Sequence, residues 1–579
     1  MRTFLLPVIL LASSLLWDLH SAPLAAQAPP DAEPPLFVDR VDVNVINVEV
    51  VVTDKSGERV EGLTKEDFTL TEDGEPVEIT NFYASLRSGR FPLTEGIEPL
   101  APVEEPIRRR ELPPDQRMHL VVYVDHFNMR AANRARFLED LPAFLEQRLV
   151  QGDRIMMVGY NGSVDVVQPF TRDRALIRQA IDGMEKVATR REMDAAERQR
   201  IVRMMIVARA QVPPDLASAH QQVRSYVQET RHHLGSSAKA LRAVVRTLAG
   251  LPGRKALLYV SDGLPRRPGE DLYQQLVNIF SLDDIQSLGD SRGIDPTIES
   301  LREDEGHLFD NIVRDANAHQ VTLYTMDTRG SGGESSLSAA WAELGAGNVG
   351  HTMIDSMRTQ NMQEPLIEMA DATGGEATLS TNAFGKALER TADDFDSFYS
   401  LGYRSESGGD GAYRKLKVKV RYPGLTVRHR QGFIDKPEKE RVGDRTVASL
   451  LLDLGDNPMG INVDLGNPRK DKRKVYMMPL LVRVPIDQLA LLPSEDKMQG
   501  QLRFFVVVKD SKDGISELYD EAFPVSIPAE QFEQAKGQEI GWSTNLRVRS
   551  GTPTVAIGVW DEVSGVESFV HRVVRVGDS

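Results

Sequence analysis

The sequence predicts an α/β fold, a mostly parallel sheet with helices on both faces, with β-rich segments before and after it. Three observations lead there. "HLVVYVD" (119–125), "KALLYVSDG" (255–263) and "VTLYTMDTRG" (321–330) are apolar runs of the kind buried on both faces of a parallel sheet, and helical periodicity lies between them. The segments 38–86 and 397–435 carry strand patterns with turn signals instead. From 440 to 579 the helical period is mostly absent, and short strands alternate with Gly, Pro and Asp.

Length and charge bound the answer. At 579 residues the chain holds several domains, since one core rarely organises more than about 250–300 residues. A formal net charge of −16 argues against nucleic acid or an anionic membrane as the main partner, because both demand a basic face. The basic run Arg108–Arg110 reads as a solvated linker. The absence of cysteine excludes disulfides, thiolate metal sites, Cys nucleophiles and a lipoprotein anchor. Arg2, the apolar run from Phe4 to Trp17 and the small-residue stretch "SAPLAAQA" predict a signal peptide over 1–26, cut near Ala26. The run is shorter than the ~20 residues a spanning helix needs. The expectation is an exported protein, periplasmic or secreted, without a membrane span after signal removal.

Each element follows from its pattern. Residues 29–36 are Pro-rich; in "VDVNVINVEVVV", Val41, Val43 and Val45 share one face, and Ile46, Val48, Val50 and Val52 continue with the parity flipped, as a bulge produces. "DFTLTEDGEPVEITNFYA" gives two more strands around the Asp73-Gly74 turn. The stretch 88–116 has no apolar period and reads as a linker. After "HLVVYVD", the residues Phe137, Leu141, Phe144, Leu145 and Leu149 follow at helical spacing, a βα unit. "RIMMVGY" and "VDVVQPF", joined by "NGS", form an antiparallel pair. The helical stretch 186–248 and the long segments 266–312 and 328–365 exceed what this fold needs, and all follow strands or loops on one edge of the sheet.

The domain at 117–396 is therefore predicted to be inserted between 38–86 and 397–435, which pair as one β-sandwich. Three or four strands in about fifty residues bury too little apolar surface to stand alone. The segment 440–579, with about seven strands, suits a separate β-sandwich.

Ligands of open α/β sheets bind beyond the carboxyl ends of the strands, and Asp125, Thr171, Ser261 and Asp262 are all expected there. Two carboxylates with hydroxyls and water suit a hard cation, Mg²⁺ or Mn²⁺. The competing reading is that Asp125 and Asp262 cap helices and satisfy loop amides.

An Asp loop after the first buried strand, a Thr loop after a hairpin strand and "SDG" after a later strand resemble the von Willebrand factor A domain with its metal-ion-dependent adhesion site. With "VVVTDKSGERVEGLTKEDFTLTEDGEPVEITNFYA" ahead of the domain, and "DFDSFYSLGYRSE" and "RHRQGF" behind it, residues 38–435 are similar to secreted von Willebrand A-related proteins abundant in acidobacteria. The resemblance implies a non-enzymatic adhesion-type protein that binds a protein of the cell envelope or extracellular space. It also implies Mg²⁺ or Mn²⁺ held by Asp125, Thr171 and Asp262, with Ser261 beside Asp262 at the same strand end. The family's first loop reads Asp-x-Ser-x-Ser, whereas Asp125-His126-Phe127-Asn128-Met129 puts Phe127 and Met129 where hydroxyls belong. The site is thus degenerate, with Asn128 offering an amide oxygen.

An enzymatic alternative rests on "SSAK", where Ser236 precedes Lys239 at the spacing by which penicillin-binding enzymes activate serine. The companion motifs are missing, since 261–263 reads "SDG" and no "KTG" follows. His232, His233, His307 and His351 have no zinc-site spacing, and "TGG" at 373–375 is a turn into a short strand. The run "RREMDAAERQR" (190–200) reads as a solvated helix face.

Overall fold

The computed structural model describes residues 45–85, 118–280, 283–286, 295–330, 351–405, 409–452, 455–511 and 514–577. The expected signal segment 1–26 and linker 88–116 lie outside the described residues. The chain forms two compact units, one of Val43–Leu248 with Pro252–Asp435 and one chiefly of Lys436–Ser579.

In the first unit a six-stranded sheet runs in the order Ala377–Thr378, Val321–Asp327, Arg254–Ser261, Met118–Asp125, Arg154–Tyr160, Val164–Thr171. Neighbours are parallel except the last pair, which is antiparallel. The protein is thus of mixed α/β class with one mostly parallel sheet. Every residue of Met118–Asp125 is buried, as a central strand covered on both faces requires. Leu120, Val122 and Val124 share a core with Phe137, Leu141 and Leu145 of the helix Ala131–Gln151 and with Phe384 and Leu388 of Phe384–Asp396. Val121 and Tyr123, of the other parity, face the opposite layer. There Leu216–Thr247, Gly306–Ala318 and His351–Thr373 pack together, and Thr325 Oγ1 donates to the Leu366 carbonyl across 2.8 Å.

A further apolar cluster joins Ile201, Val202 and Met205 of the helix Arg191–Arg209 to Val223 and Val227 of Leu216–Thr247 and to Leu272 and Leu276 of Glu270–Ile279. The extra helical length is therefore a small layer with its own core.

Strands on either side of the α/β segment pair with each other. Val45–Thr53 lies antiparallel between Phe398–Arg404 and Thr426–His429, and Ile79–Ser85 flanks Phe398–Arg404. A second antiparallel sheet runs Gly432–Ile434, Tyr413–Val420, Phe68–Glu72, Glu75–Val77. Both contribute to one core, including Ile46, Val48, Val50, Phe68, Leu401 and Val418. Two ionic links tie this β-layer to the α/β part. Arg254 Nε meets Glu49 at 2.8 Å, and Asp394, fully buried, is held between Arg59 and Arg428.

In the second unit Val475–Pro485 carries Asn462–Leu465, Arg469–Lys472 and Glu539–Arg549 as antiparallel partners. The other sheet runs Leu492–Ser494, Lys497–Lys509, Thr554–Asp561, Glu567–Val573, with Tyr519–Pro528 also on Lys497–Lys509. The two share one core, in which Phe504 and Trp542 stack with centroids 4.5 Å apart. One expectation is corrected here, because this unit opens with a helix, Glu438–Leu452. Its buried face includes Thr446 and Ser449, whose hydroxyls donate to the carbonyls of Val442 and Thr446. A polar buried stripe leaves no apolar period to read.

Candidate functional site

Counted from Met118–Asp125 as the first strand, the sheet order becomes 3-2-1-4-5-6, and chain direction in the order reverses between the first strand and Arg254–Ser261. Asp125 and Ser261-Asp262 end those two strands and so stand side by side at the switch point. Both carboxylates are buried and both are engaged. Asp125 Oδ1 accepts from the Asn128 backbone N–H at 3.0 Å, while Oδ2 accepts from Asn128 Nδ2 at 2.8 Å and from the Tyr259 hydroxyl at 2.6 Å. Asp262 Oδ1 accepts from Thr328 Oγ1 at 2.6 Å, and Oδ2 from the Arg130 N–H at 2.8 Å and Asn133 Nδ2 at 2.9 Å. Arg130 precedes the helix Ala131–Gln151 without a side-chain cap of its own, so Asp262 supplies one from a neighbouring loop. Burial pushes both carboxyls up from the ordinary range, and these hydrogen bonds oppose it.

The metal set expected from the sequence does not assemble. Thr171 pairs with Ile155, near the start of Arg154–Tyr160, whereas Asp125 pairs with Tyr160 at its end. The two are separated along the sheet by ~16 Å at roughly 3.3 Å rise per residue. An antiparallel strand carries its carboxyl end to the amino edge of its parallel neighbours, and the Thr171 hydroxyl there accepts from the Asp173 N–H instead. Asn128 turns its Nδ2 to Asp125 and to Ser237 Oγ, because a carboxylate draws the donor end of an amide. Ser261 Oγ accepts from the Gly263 N–H. Among the described residues no group of three or more acidic or histidine side chains converges as a metal site. Asp125, Asn128, Ser261 and Asp262 do not fit Mg²⁺ or Mn²⁺, because the oxygens of Asp125, Asp262 and Ser261 are already turned to protein donors and Asn128 presents the donor end of its amide to Asp125.

Ser236 lies inside the helix Leu216–Thr247 and its hydroxyl donates to the His232 carbonyl at 3.0 Å, while Lys239 is exposed. The Ser236 proton is thus turned to the helix backbone rather than to Lys239.

A concavity at this edge was not legible in the sequence. A cavity of about 430 Å³ opens beside Phe127 and Asn128, between Arg191–Arg209, Leu216–Thr247 and His351–Thr373. Its depth is ionic. Arg191, Arg198 and Arg358 are buried, Arg198 pairs with the buried Asp271, and Asp194 accepts from the Tyr226 hydroxyl at 2.7 Å. Burial alone would raise the Asp194 carboxyl, but the guanidinium groups of Arg191, Arg198 and Arg358 hold it below its ordinary range. Burial, then the like charge of Arg358, brings the Arg198 guanidinium down to about 10, so it remains charged at neutral pH.

The expected solvated face is thus corrected, since Arg191 and Arg198 of "RREMDAAERQR" face inward. The signal was phase. Arg191, Asp194 and Arg198 recur at helical spacing and continue directly into Ile201, Val202 and Met205, which are buried.

No protein-family model matches the chain, and no curated protein does. Solved structures it is similar to include an aerotolerance-related membrane protein from Bacteroides fragilis, at 10% identity and TM-score 0.21 over 48% of this chain and 98% of that one. A pilus adhesin from Lactobacillus rhamnosus GG in its open conformation aligns at 8% identity and TM-score 0.23, over 80% of this chain and 52% of the adhesin. Three N-terminal domains of a type V pili tip protein from Porphyromonas gingivalis align at 9% identity and TM-score 0.22, over 79% of this chain and 70% of that one. At such TM-scores these likenesses decide neither fold nor function. Among the described residues no helix is long and apolar enough to cross a membrane.

Proposed function

We propose that this chain is an exported, non-enzymatic binding protein whose central domain is of the von Willebrand A type and engages a protein partner at the carboxyl edge of its sheet. The observation that carries the reading is the strand order 3-2-1-4-5-6 with an antiparallel third strand, and with acid-bearing loops on both sides of the reversal. In this reading Asp125 and Asp262 do not hold a cation; they order the two loops by accepting their N–H and O–H groups. Rigid loops at a switch point present a defined surface, and the helical layer over Arg191–Arg209 and Leu216–Thr247 enlarges it. Export rests on the order of Arg2, apolar run and small residues.

The test is affinity capture from envelope extract with the full chain as bait, beside a Phe127→Glu bait that places a charge on the half-buried ring of the first loop. A partner retained by the wild type and lost by Phe127→Glu supports the edge as the binding surface. Equal capture by both baits overturns it. Covalent labelling by a fluorescent penicillin, abolished in Ser236→Ala, would establish the hydrolase reading in its place.

A further inference from the structure

We infer that the cavity beside Phe127 is a binding site for a carboxylate, seated on Arg198 at its floor with an apolar body against Phe127, Leu234 and Met362. Three features carry this. The first is an incompletely used cation: Arg198 is 1% exposed, its guanidinium pairs with Asp271, and its Nη1 donates to no group among the described residues. A buried charged donor left without an acceptor is costly, and an anion entering the cavity would supply that acceptor. The second is room. About 430 Å³ exceeds what one small inorganic ion fills and lies in the range of organic-ligand sites. The wall combines Phe127, Leu234, Pro265 and Met362 with the charged floor, which suits an amphipathic guest.

The third feature is the sign and amount of charge. Arg191, Arg198 and Arg358 favour an anion, yet Asp194 and Asp271 line the same cavity and Glu197 and Glu229 stand at its rim. A phosphate dianion would meet four carboxylates with two charges; a carboxylate brings only one and suffices to accept from the Nη1 that Asp271 leaves over. At the mouth, Glu229 is occupied by Arg190 at 2.7 Å, and Arg190 lies 5.3 Å over the Phe127 ring, so the entrance is built from paired groups. The source of the carboxylate is either a free small acid or an acidic side chain of a protein partner. The inference does not depend on the protein-binding reading, because capture tests the whole edge and the probes below test only the cavity.

The experiment is ¹⁹F NMR titration of the full chain with 4-fluorophenylacetate, 4-fluorophenylacetamide and 4-fluorophenyl phosphate. A second arm uses an acetylated, amidated dipeptide of 4-fluorophenylalanine and aspartate, with its asparagine counterpart. Saturable binding of a carboxylate probe is expected, with its amide counterpart and the phosphate roughly tenfold weaker or worse, as loss of a charged hydrogen bond implies. The tighter of 4-fluorophenylacetate and the aspartyl dipeptide identifies the source, and either result supports the site. Arg198→Met removes the floor donor, and Thr230→Trp fills the cavity without touching the ion pair; both are expected to abolish binding. If Arg198→Met does not fold, Thr230→Trp decides alone. No saturable carboxylate binding, equal binding of the amides, tighter binding of the phosphate, or binding unchanged in Thr230→Trp would each overturn the inference.

Discussion

Asp125 accepts three hydrogen bonds and donates none in its ionised form, so its neighbours are all donors. Replacing it with asparagine puts an NH₂ either at Oδ1, facing the Asn128 N–H, or at Oδ2, facing Asn128 Nδ2 and the Tyr259 hydroxyl, so at least one donor loses its acceptor. Asp125→Asn is expected to lower the unfolding free energy by about 1–3 kcal/mol in urea titrations. Millimolar Mg²⁺ or Mn²⁺ should leave the wild-type melting temperature unmoved, since a bound cation would raise it by mass action. His126 makes a second prediction. Its Nδ1 faces Arg134 Nη1 at 3.1 Å, and burial, reinforced by that charge, lowers its pKa from 6.5 to about 4. The native ring stays neutral while the unfolded chain takes up a proton below 6.5, so stability falls as pH drops from 6.5 toward 4, by up to about 3 kcal/mol. The raised carboxyls of Asp125 and Asp262 act with the opposite sign, binding a proton in the native chain before the unfolded one. The clean measurement is therefore a difference: His126→Gln should show a shallower loss of stability between pH 7 and 5 than the wild type.

The helix Glu438–Leu452 shows how one glycine positions an element. A Cβ on Gly558 would lie 2.2 Å from Thr446 Oγ1, so helix and strand approach closely because Gly558 has no side chain. Gly558→Ala is expected to cost about 1–3 kcal/mol through overpacking. Thr446→Ala removes the obstructing oxygen, so the double variant should recover most of that loss; additive losses in a double-mutant cycle would contradict the close approach. Elements differ in how plainly they can be read. Met118–Asp125 and Arg254–Ser261 are legible because central strands are apolar on both faces and need no partner to be recognised. Glu438–Leu452 is not, because Thr446 and Ser449 satisfy their hydroxyls on the helix backbone and so occupy buried positions where an apolar residue is looked for. Arg191–Arg209 was legible as a helix but not as a wall of the cavity, since buried arginines look like surface residues until their acids, Asp194 and Asp271, are found.

At the scale of the whole molecule, the strands before residue 86 depend on those after 397. Val45–Thr53 takes both its strand neighbours from Phe398–Arg404 and Thr426–His429, and Ile79–Ser85 also pairs with Phe398–Arg404. Within 45–85 the strand pairing left is the hairpin Phe68–Glu72 with Glu75–Val77, and an isolated hairpin is marginal in water. A fragment of 45–85 should therefore show no cooperative melt by circular dichroism, whereas 117–396, with the six-stranded sheet and its helices, should. Cooperative unfolding of the short fragment would count against a shared β-layer.

Taken alone, the sequence determined the class of each long segment: parallel-sheet strands where apolar runs are continuous, helices where apolar residues recur at helical spacing, and acids at the ends of the first and fourth strands. These properties depend on burial along a few neighbouring residues, and burial selects residue type locally. Only the tertiary structure decided what those acids do. The donors that hold Asp262 come from Arg130, Asn133 and Thr328, far away in the chain, and Thr171 falls at the opposite edge because its strand runs backwards. Arg198 and Arg200 are two residues apart in a charged run, yet one lies at the floor of a cavity and the other is exposed. Residue type records the need of a charged group for a partner, but the partner's identity depends on which distant segments the fold brings within hydrogen-bonding distance.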